Sequence, residues 1–181
     1  MSVLAVIPAR GGSKRFPRKN LASFRGLPLL AWSIMAARCC GTIDRVVVST
    51  DDQEIFGAAL WRSATALLRP PELATDTASA EDVLRHAVTV FPGYEWTVLL
   101  QPTSPLRTSD DISECIKLAA RDGEGCITYR DDTGGKNGAV YVMRTDLLMA
   151  GRNFDKPFNT FYMMPAERSL DIDYAEEMNL A

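Results

Sequence analysis

The chain alternates between short runs of apolar residues and segments in which apolar residues recur at helical spacing. Runs such as VVVS and TVLL are typical of strands that are buried on both faces of a sheet. Strands are predicted at residues 3–7, 45–50, 64–68, 96–100, 125–129 and 139–143, with a last short strand at 169–172. Helices are predicted at residues 29–40, 52–62, 80–90, 109–122 and 146–150, with a final helix after residue 173. This alternation predicts a three-layer α/β fold, in which helices cover both faces of a doubly wound, mostly parallel sheet.

The loops that directly follow the predicted strands are the most polar segments of the chain. They read PARGGSKRFPRKN, STDD, LRPPELATDTAS and QPTSPLR, together with the segment around DID, which overlaps the end of the last predicted strand. Ligands of parallel α/β sheets bind outside the carboxyl ends of the strands. These loops are therefore the predicted functional site. The acidic pair in STDD, Asp51 and Asp52, is expected to cap the following helix rather than to contact a ligand.

Length and composition indicate one globular domain over residues 1–181. The chain has 46% hydrophobic and 24% charged residues, close to the average of globular proteins. A chain of this length can bury a core without disulfides or metals. The net charge of −3 excludes the broad basic surface of nucleic-acid-binding proteins, so no nucleic-acid partner is expected.

Targeting and cysteine patterns point to a cytoplasmic protein with no membrane association. The first ten residues lack the basic region of a signal peptide, and the longest uncharged stretch, 26–37, is too short to span a bilayer. The four cysteines form no CxxC motif, and with a single histidine no zinc pattern is present. Reduced thiols are expected. His86 is expected to be a bystander on a helix.

Charge is unevenly distributed between the two ends of the chain. Residues 1–43 contain seven basic residues and no acidic one, whereas residues 166–181 contain five acidic residues and one basic residue. Two solvated faces would explain this pattern. The alternative, which the motifs favour, is an anion-binding loop near the N-terminus and a cation-binding segment near the C-terminus.

The loop after the first strand has the composition of a phosphate-binding loop. It reads RGGSKR from Arg10 to Arg15, without a Walker A or GxGxxG pattern. Glycines allow backbone amides to approach a phosphate closely, while Arg10 and Lys14 supply charge and Ser13 supplies a hydroxyl donor. A flexible basic loop is the alternative. The position directly after a buried strand favours phosphate binding.

Six motifs in register make the chain recognisable. IPARGGSKRFPRKNL, VSTDD, LRPPELATDTASAEDVLRHA, LLQPTSPLRTSDDI, NGAVYV and RSLDID follow one another over almost its whole length. In this order they resemble the motifs of the acylneuraminate cytidylyltransferases, also called CMP-sialic acid synthetases. The resemblance implies a Rossmann-like fold of the nucleotide-diphospho-sugar transferase type.

The same resemblance implies a reaction and a set of site residues. Members of the family transfer CMP from CTP to the anomeric hydroxyl of an α-keto sugar acid and release pyrophosphate. The implied catalytic residues are Lys14, Lys19, Asp171 and Asp173. The implied nucleotide-binding residues are Arg10, Gly11, Gly12, Ser13, Lys14, Asn20, Arg69 and Ser79. The implied sugar-binding residues are Gln101, Thr103, Ser104, Asn137 and Tyr141. Asp171 and Asp173 are the implied ligands of a Mg²⁺ cofactor.

The residue types agree with this chemistry, although each motif has a plainer explanation. Asp171 and Asp173 are two apart, so on a strand both carboxylates point the same way, and Mg²⁺ prefers such oxygen ligands. A solvated strand end, or a helix cap formed by Asp173, would give the same pattern. The two prolines of QPTSPLR stiffen a loop that could present hydroxyl and amide groups. A plain turn, with Arg107 in a structural ion pair, is the alternative there.

One region departs from the family pattern. In the family, a long segment that carries basic residues for the sugar carboxylate and much of a dimer-forming arm usually precedes the NGAVYV-like strand. Here residues 126–136 run almost directly into Asn137, and Gly134-Gly135 suggests a tight turn. Arg130 and Lys136 are candidates to replace the missing cations. A monomer or weak homodimer is therefore expected. A sugar nucleotidyltransferase with another base or acceptor, or a non-catalytic nucleotide-binding module, remains the alternative function.

Overall fold

A seven-stranded sheet dominates the computed structural model, which describes residues 1–156 and 158–179. Its strands stand in the order β5-β4-β1-β6-β8-β7-β9. They are β1 Val3–Pro8, β4 Arg45–Thr50, β5 Thr65–Leu68, β6 Trp96–Leu99, β7 Gly125–Arg130, β8 Lys136–Arg144 and β9 Phe161–Met164. Within the described residues, β8 runs antiparallel to its neighbours and the other pairings of the sheet are parallel. The predicted mostly parallel sheet is confirmed.

Within the part of the chain that the structure describes, five α-helices connect the strands, close to their predicted positions. They are α1 Leu29–Cys39, α2 Gln53–Trp61, α3 Ala80–Val90, α4 Ser109–Asp122 and α5 Thr145–Met149. The side chain of Asp52 caps α2, Ser79 caps α3, and Thr108 forms a capping box with Asp111 at the start of α4. Such caps satisfy amides that have no partner within the helix, and each is worth about 1 kcal/mol. The predicted capping role of Asp52 is confirmed, whereas Asp51 accepts a hydrogen bond from Gly11 instead.

The alternation of side chains along β1 divides the core into two layers. Val3, Ala5 and Ile7 pack with α1, α2 and α4 on one face, while Leu4 and Val6 pack with α3 and α5 on the other. All five side chains are completely buried. Burying a Leu, Ile or Val side chain stabilises the fold by about 1.5–3 kcal/mol. The continuous apolar strands predicted from the sequence therefore do face two apolar layers.

The chain changes direction across the sheet at β1. The connections after β1 and β4 place β4 and β5 on one side of β1, and the connection after β5 then returns the chain to β6 on the other side. Loops at the carboxyl ends of β1 and β6 diverge at such a switch point and leave a crevice between them. The fold thus places the RGGSKR and QPTSPLR loops beside one crevice.

The C-terminal region differs from its prediction in three respects. Residues 169–172 form no strand, because the amide of Ile172 donates to the carbonyl of Thr103 in a loop rather than to a neighbouring strand. The edge strand is instead β9, which was not predicted, since its FYMM run is short and lacks a polar and apolar alternation. After residue 173 the chain forms a 3₁₀ helix, Ala175–Asn179, in place of the expected α-helix.

Smaller elements were also missed. The two-residue strands β2 Ser23–Phe24 and β3 Leu27–Pro28 form a separate hairpin, whose turn contains Arg25 and Gly26 at positive φ. The predicted turn at Gly134-Gly135 is confirmed, since residues 131–135 connect β7 to β8 and Gly134 has φ +65°. The four cysteines are free thiols, and Cys39 is the exposed one among them. Among the described residues, no helix combines the length and apolar character needed to cross a membrane.

Candidate functional site

A cavity of about 550 Å³ opens at the carboxyl ends of β1, β5 and β6. The RGGSKR loop forms one wall through Arg10, Ser13 and Lys14, and the loop after β5 forms another. The floor includes Pro8, and the start of QPTSPLR completes the rim with Gln101 and Thr103. Segments that are far apart in sequence therefore meet where the switch point predicts a ligand.

A single aspartate joins the two basic residues of the first loop. Asp76 lies in the loop after β5, and its carboxylate contacts Arg10 Nη1 at 2.6 Å and Lys14 Nζ at 2.5 Å. Hydrogen bonds from Lys14 and Arg10 hold the pKa of Asp76 below its ordinary value. The side chain of Lys14 is nonetheless 80% exposed. An anion therefore already occupies the place that the sequence assigns to phosphate oxygens.

The backbone at Gly11 is held against the end of β4. Its amide donates to Asp51 Oδ1 at 3.0 Å. A Cβ atom at Gly11 would lie 2.6 Å from Asp52 Oδ2, a contact too short for any other residue. A Cβ at Gly12 would meet nothing within 4 Å. The first glycine is therefore required by packing, whereas the second keeps the loop open to solvent.

Lys19 and Asn20 connect the basic loop to the rest of the site. Asn20 is buried, and its Nδ2 donates to the carbonyl of Arg10 at 2.9 Å, which fixes the start of the loop. Lys19 Nζ lies 3.0 Å from Asp173 Oδ1 and donates to the carbonyl of Ile172 at 3.1 Å. Lys19 thus links the N-terminal loop to the C-terminal acidic segment, more than 150 positions away.

Arg69 is a buried cation at the cavity wall. It donates to the carbonyls of Ser49 and Leu73, and its Nε has no partner among the described atoms. Burial, together with the nearby charge of Arg10, lowers its pKa, while Asp51 opposes the shift. Ser79 also lines the cavity, but its hydroxyl is used at the start of α3, where it accepts from the amide of Asp82 and donates to the carboxylate.

The two C-terminal aspartates stand in different electrostatic surroundings. Surrounding protein removes water from the carboxyl group of Asp171, and with the nearby charge of Asp173 this raises its pKa, although a hydrogen bond from Thr103 opposes the shift. Partial burial by itself would raise the pKa of Asp173, but Lys19 and Arg15 outweigh it and lower the pKa. Among the described residues Asp171 forms no ion pair, whereas Asp173 is held by two cations at 3.0 and 2.9 Å.

Asp171 faces Gln101 across Gly138. A Cβ at Gly138 would lie 2.9 Å from Gln101 Oε1 and 3.6 Å from Asp171 Oδ2, and its φ of +74° also favours glycine. The missing side chain lets the amide of the QPTSPLR loop approach the acidic segment. Gln101, Thr103 and Lys19 line the cavity, whereas Asp171 and Asp173 do not line it themselves and interact with Thr103 and Lys19.

Other residues assigned to the sugar do not face the cavity. Ser104 is completely buried, and its hydroxyl has no partner. Asn137 is also buried, and all of its side-chain capacity is used by Thr128, Ser169, the amide of Ala139 and the sulfur of Met164. Direct contact of either with a sugar would require a rearrangement. The contacts of Asn137 hold the start of β8 against β7 and the segment at Ser169.

Tyr141 lies partly buried on β8. Burial and the nearby charge of Asp171 raise its pKa to about 12, and its ring packs edge-on against Phe154. The cations considered as replacements for the missing segment are engaged elsewhere. Arg130 pairs with Asp132 in the β7–β8 turn, and Lys136 donates to the carbonyl of Phe154 at 2.9 Å.

Arg107 is structural, as its alternative interpretation held, but its partners differ from those expected. The buried guanidinium donates to the carbonyls of Ala139 and Gln101 and to the hydroxyl of Ser33, rather than to a carboxylate. The sequence analysis missed Asp76 as a site residue. The only signal was its position within the polar LATDTAS loop, which does not indicate a partner more than 60 positions away.

The sheet order and the crevice at the switch point define an α/β protein of Rossmann-like fold, with a basic Gly-rich loop beside its candidate ligand site. A family model described as "Cytidylyltransferase" matches residues 4–146. An N-acylneuraminate cytidylyltransferase of Escherichia coli O18:K1:H7 is 32% identical over 213 aligned residues, which cover 99% of this chain and 51% of that protein. The chain therefore belongs to the cytidylyltransferase family.

One further relative and one solved structure resemble the chain. A pseudaminic acid cytidylyltransferase of Campylobacter jejuni is 40% identical over 122 residues, which cover 65% of this chain and 53% of that protein. The structure of a CMP:2-keto-3-deoxy-manno-octonic acid synthetase complexed with CTP superposes with a TM-score of 0.79 at 16% identity, covering 97% of this chain and 95% of that one. That likeness supports the fold alone.

The chain is shorter than its curated relatives. It spans about half of the length of the E. coli and C. jejuni enzymes. Because the E. coli alignment has 213 positions and this chain has 181 residues, at least 32 positions have a residue in the relative alone. This difference agrees with the segment that the sequence analysis found to be missing.

Proposed function

We propose that the protein transfers CMP from CTP to a hydroxyl group of an α-keto sugar acid and releases pyrophosphate. One observation carries the proposal. In a chain of the cytidylyltransferase family, a basic Gly-rich loop lines a cavity at the switch point of the sheet, and Asp171 and Asp173 interact with two further lining residues, Thr103 and Lys19. CTP carries several negative charges, so its binding needs cations on one side and aligned ligands around the α-phosphate.

The basic loop is the proposed triphosphate site. Arg10 and Lys14 would exchange Asp76 for phosphate oxygens, and Ser13 would donate its hydroxyl. Charge-assisted hydrogen bonds of this kind contribute about 1.5–3 kcal/mol each. Lys19 and Asn20 also line the cavity and support the loop through their hydrogen bonds. Arg69 and Ser79 border the space that remains for the nucleoside.

Asp171 and Asp173 fit a divalent cation that arrives with the nucleotide. Within the described ranges, no group of three or more His, Cys, Asp or Glu residues could hold a metal by itself. Mg²⁺ suits such a pair because it is typically bound by one or two carboxylates and completes its shell with waters and phosphate oxygens. Desolvation raises the pKa of Asp171, and a bound cation would favour its charged form. When bound, the ion would neutralise charge on the phosphate oxygens.

In the proposed reaction, a sugar hydroxyl oxygen attacks the α-phosphorus of CTP and forms a new P–O bond. The bond between the α-phosphorus and the bridging oxygen breaks, and pyrophosphate departs with the electron pair. The hydroxyl proton is lost to water. Cations of the basic loop would hold the leaving pyrophosphate, and Gln101 and Thr103 are placed to orient the acceptor at the rim. Tyr141 would border the acceptor from β8.

A pyrophosphate-release assay tests the proposal. CTP, UTP, ATP and GTP are each combined with a panel of α-keto sugar acids, with and without Mg²⁺. We expect release with CTP and at least one sugar acid, and only when Mg²⁺ is present. Release with another nucleotide but not with CTP would identify a different nucleotidyltransferase. Binding of CTP without release across the panel would favour a non-catalytic module.

The charge at the loop is tested by Lys14→Ala with Lys117→Ala as its matched control. Lys117 is an exposed lysine of α4 that pairs with Glu114. We expect Lys14→Ala to weaken CTP binding by about 1.5–3 kcal/mol, because one charge-assisted contact is lost. Calorimetric titration should show wild-type affinity for Lys117→Ala. Wild-type affinity for Lys14→Ala would remove Lys14 from the site.

A further inference from the structure

The segment that carries the two C-terminal aspartates is attached to the start of α4 by one buried ion pair. Asp111 is completely buried, and its carboxylate accepts from Arg168 twice, at 3.0 Å from Nε and at 2.8 Å from Nη2. Such a two-pronged contact fixes the direction as well as the distance between the partners. Arg168 precedes Asp171 by only three positions. The position of the ion pair therefore affects where the acidic segment lies.

The remaining contacts of Asp111 make the attachment point rigid. Its carboxylate also accepts from the amide and hydroxyl of Thr108, at 2.9 and 2.8 Å, and from the hydroxyl of Tyr162 at 3.2 Å. Burial alone would raise the pKa of Asp111, but hydrogen bonds from Arg168 and Thr108 outweigh it and lower the pKa. A buried carboxylate of this kind is stable only while its partners stay in place.

The capping of α4 does not account for Arg168. Thr108 and Asp111 complete the capping box by themselves. Besides pairing with the buried carboxylate, Arg168 therefore ties the chain that follows it to the start of α4. At the far end of that segment, the amide of Ile172 donates to the carbonyl of Thr103 at 2.8 Å, and Ser169 is bonded to Asn137. Residues 168–172 are thus held between Asp111 and the loop that lines the cavity.

We propose that Asp111 and Arg168 are positioning residues, whose ion pair places Asp171 and Asp173 beside the cavity and thereby sets the affinity for a divalent cation bound with the nucleotide. The effect on cation affinity rests on the proposed function. The effect on the position of residues 169–173 does not. Removal of residues that hold metal ligands in place typically lowers metal affinity by about 10- to 100-fold.

The test compares Arg168→Gln and Arg168→Lys with Arg144→Gln. Arg144 also pairs with an aspartate, Asp146, but on the surface at the end of β8 that is paired with the first residue of β6. Hydrogen exchange at the amide of Ile172 reports the position of the segment without metal. Electron paramagnetic resonance of Mn²⁺ in the presence of CTP reports cation affinity. CTP affinity without metal completes the set.

For Arg168→Gln we expect faster exchange at Ile172 and about tenfold weaker Mn²⁺ binding, with unchanged CTP affinity in the absence of metal. Arg168→Lys should give intermediate values, because lysine retains the positive charge but lacks the guanidinium that contacts both carboxylate oxygens. Arg144→Gln should match the wild type. If Arg168→Gln does not fold, Asp111→Asn, which keeps the shape of the buried side chain, takes its place in the comparison.

Two outcomes would overturn the inference. One is wild-type exchange at Ile172 in a folded Arg168 variant. The other is a lowered melting temperature with unchanged Mn²⁺ affinity, which is the signature of a purely structural ion pair. The proposed function fails differently. If the wild type binds no Mn²⁺ with CTP while exchange at Ile172 still responds to Arg168→Gln, the metal assignment is wrong, the effect on cation affinity is refuted, and only the positioning of the segment stands.

Discussion

Asp76 occupies the position of a ligand in the basic loop. Its carboxylate bridges Arg10 and Lys14, and it belongs to a different loop, so it competes with any anion that needs both cations. Asp76 therefore offsets only part of the positive charge of the loop in the absence of nucleotide. We expect this internal competitor to lower the affinity of the loop for the phosphates of the proposed nucleotide.

We expect Asp76→Asn to tighten CTP binding by about two- to fivefold, because exposed ion pairs contribute about 0.2–1 kcal/mol. Isothermal titration at low and high salt measures the effect, which should shrink as salt screens the charges. Asp132→Asn, which removes an exposed carboxylate from the β7–β8 turn, is the control. Weaker CTP binding by Asp76→Asn would show that Asp76 assists the nucleotide instead.

The two aspartates of the acidic segment, Asp171 and Asp173, should have opposite effects on stability. The folded state raises the pKa of Asp171, so its ionisation opposes folding, and stability falls as pH rises from about the ordinary value of 3.8 through the raised pKa. The folded state lowers the pKa of Asp173, so its contribution is present above the unfolded value and is lost as pH falls through the lowered one.

Without metal at neutral pH, Asp171→Asn should therefore leave the melting temperature unchanged or raise it. Asp173→Asn should lower stability by up to about 1 kcal/mol, because it loses partly exposed contacts with Lys19 and Arg15. Both variants should lose most of their Mg²⁺-dependent activity. Thermal denaturation between pH 3 and pH 8 provides the comparison. A destabilised Asp171→Asn would contradict the assigned desolvation.

At the scale of elements, the loop after β1 depends on its contact with the start of α2. The Cβ atom of any residue replacing Gly11 would strike Asp52, whose Oδ1 accepts from the amides of Glu54 and Ile55. The RGGSKR loop and the cap of α2 therefore constrain each other. The two glycines are not equivalent to each other, because a Cβ at Gly12 meets open space.

We expect Gly11→Ala to destabilise the protein by about 1 kcal/mol, the value of a lost helix cap, and to weaken CTP binding. Gly12→Ala should leave stability unchanged. Urea denaturation measures both variants. If the two alanine variants prove equally stable, the contact between Gly11 and Asp52 does not constrain the loop.

At the scale of the molecule, the short β7–β8 turn leaves little material for a dimer arm. Residues 131–135 form the whole connection. A typical stable interface needs about 800 Å² from each partner, which a turn of this length does not supply. We still expect a monomer or weak dimer in solution. Light scattering that finds a tight dimer at nanomolar concentration would overturn this expectation.

Nucleotide binding should be visible as a gain in stability of the whole chain. A ligand that binds only the folded state stabilises it by about 2.7 kcal/mol at 100 times its dissociation constant. We expect CTP with Mg²⁺ to raise the melting temperature more than ATP or GTP does. Equal shifts with all three nucleotides would argue against recognition of cytosine.

Elements with a strong local signal were predictable from the sequence. The apolar runs at β1, β4 and β6 specified buried parallel strands, and the caps at Asp52 and Ser79 marked helix starts. Strand β9 escaped prediction because its position at the edge depends on β7, which lies about 30 positions earlier. The RGGSKR, QPTSPLR and DID motifs could be recognised from the sequence because the residues of each motif are neighbours in the chain.

What the sequence by itself determined was the alternation of strands and helices, the end of the sheet that bears the site, and the types of residue available there. The tertiary structure alone decided which of them face the cavity. Ser104 and Asn137 turn into the core, whereas Asp76 pairs with the basic loop and Arg168 with Asp111. These pairings join residues more than 50 positions apart, and burial and charge balance select such partners only after the strands have brought their loops together.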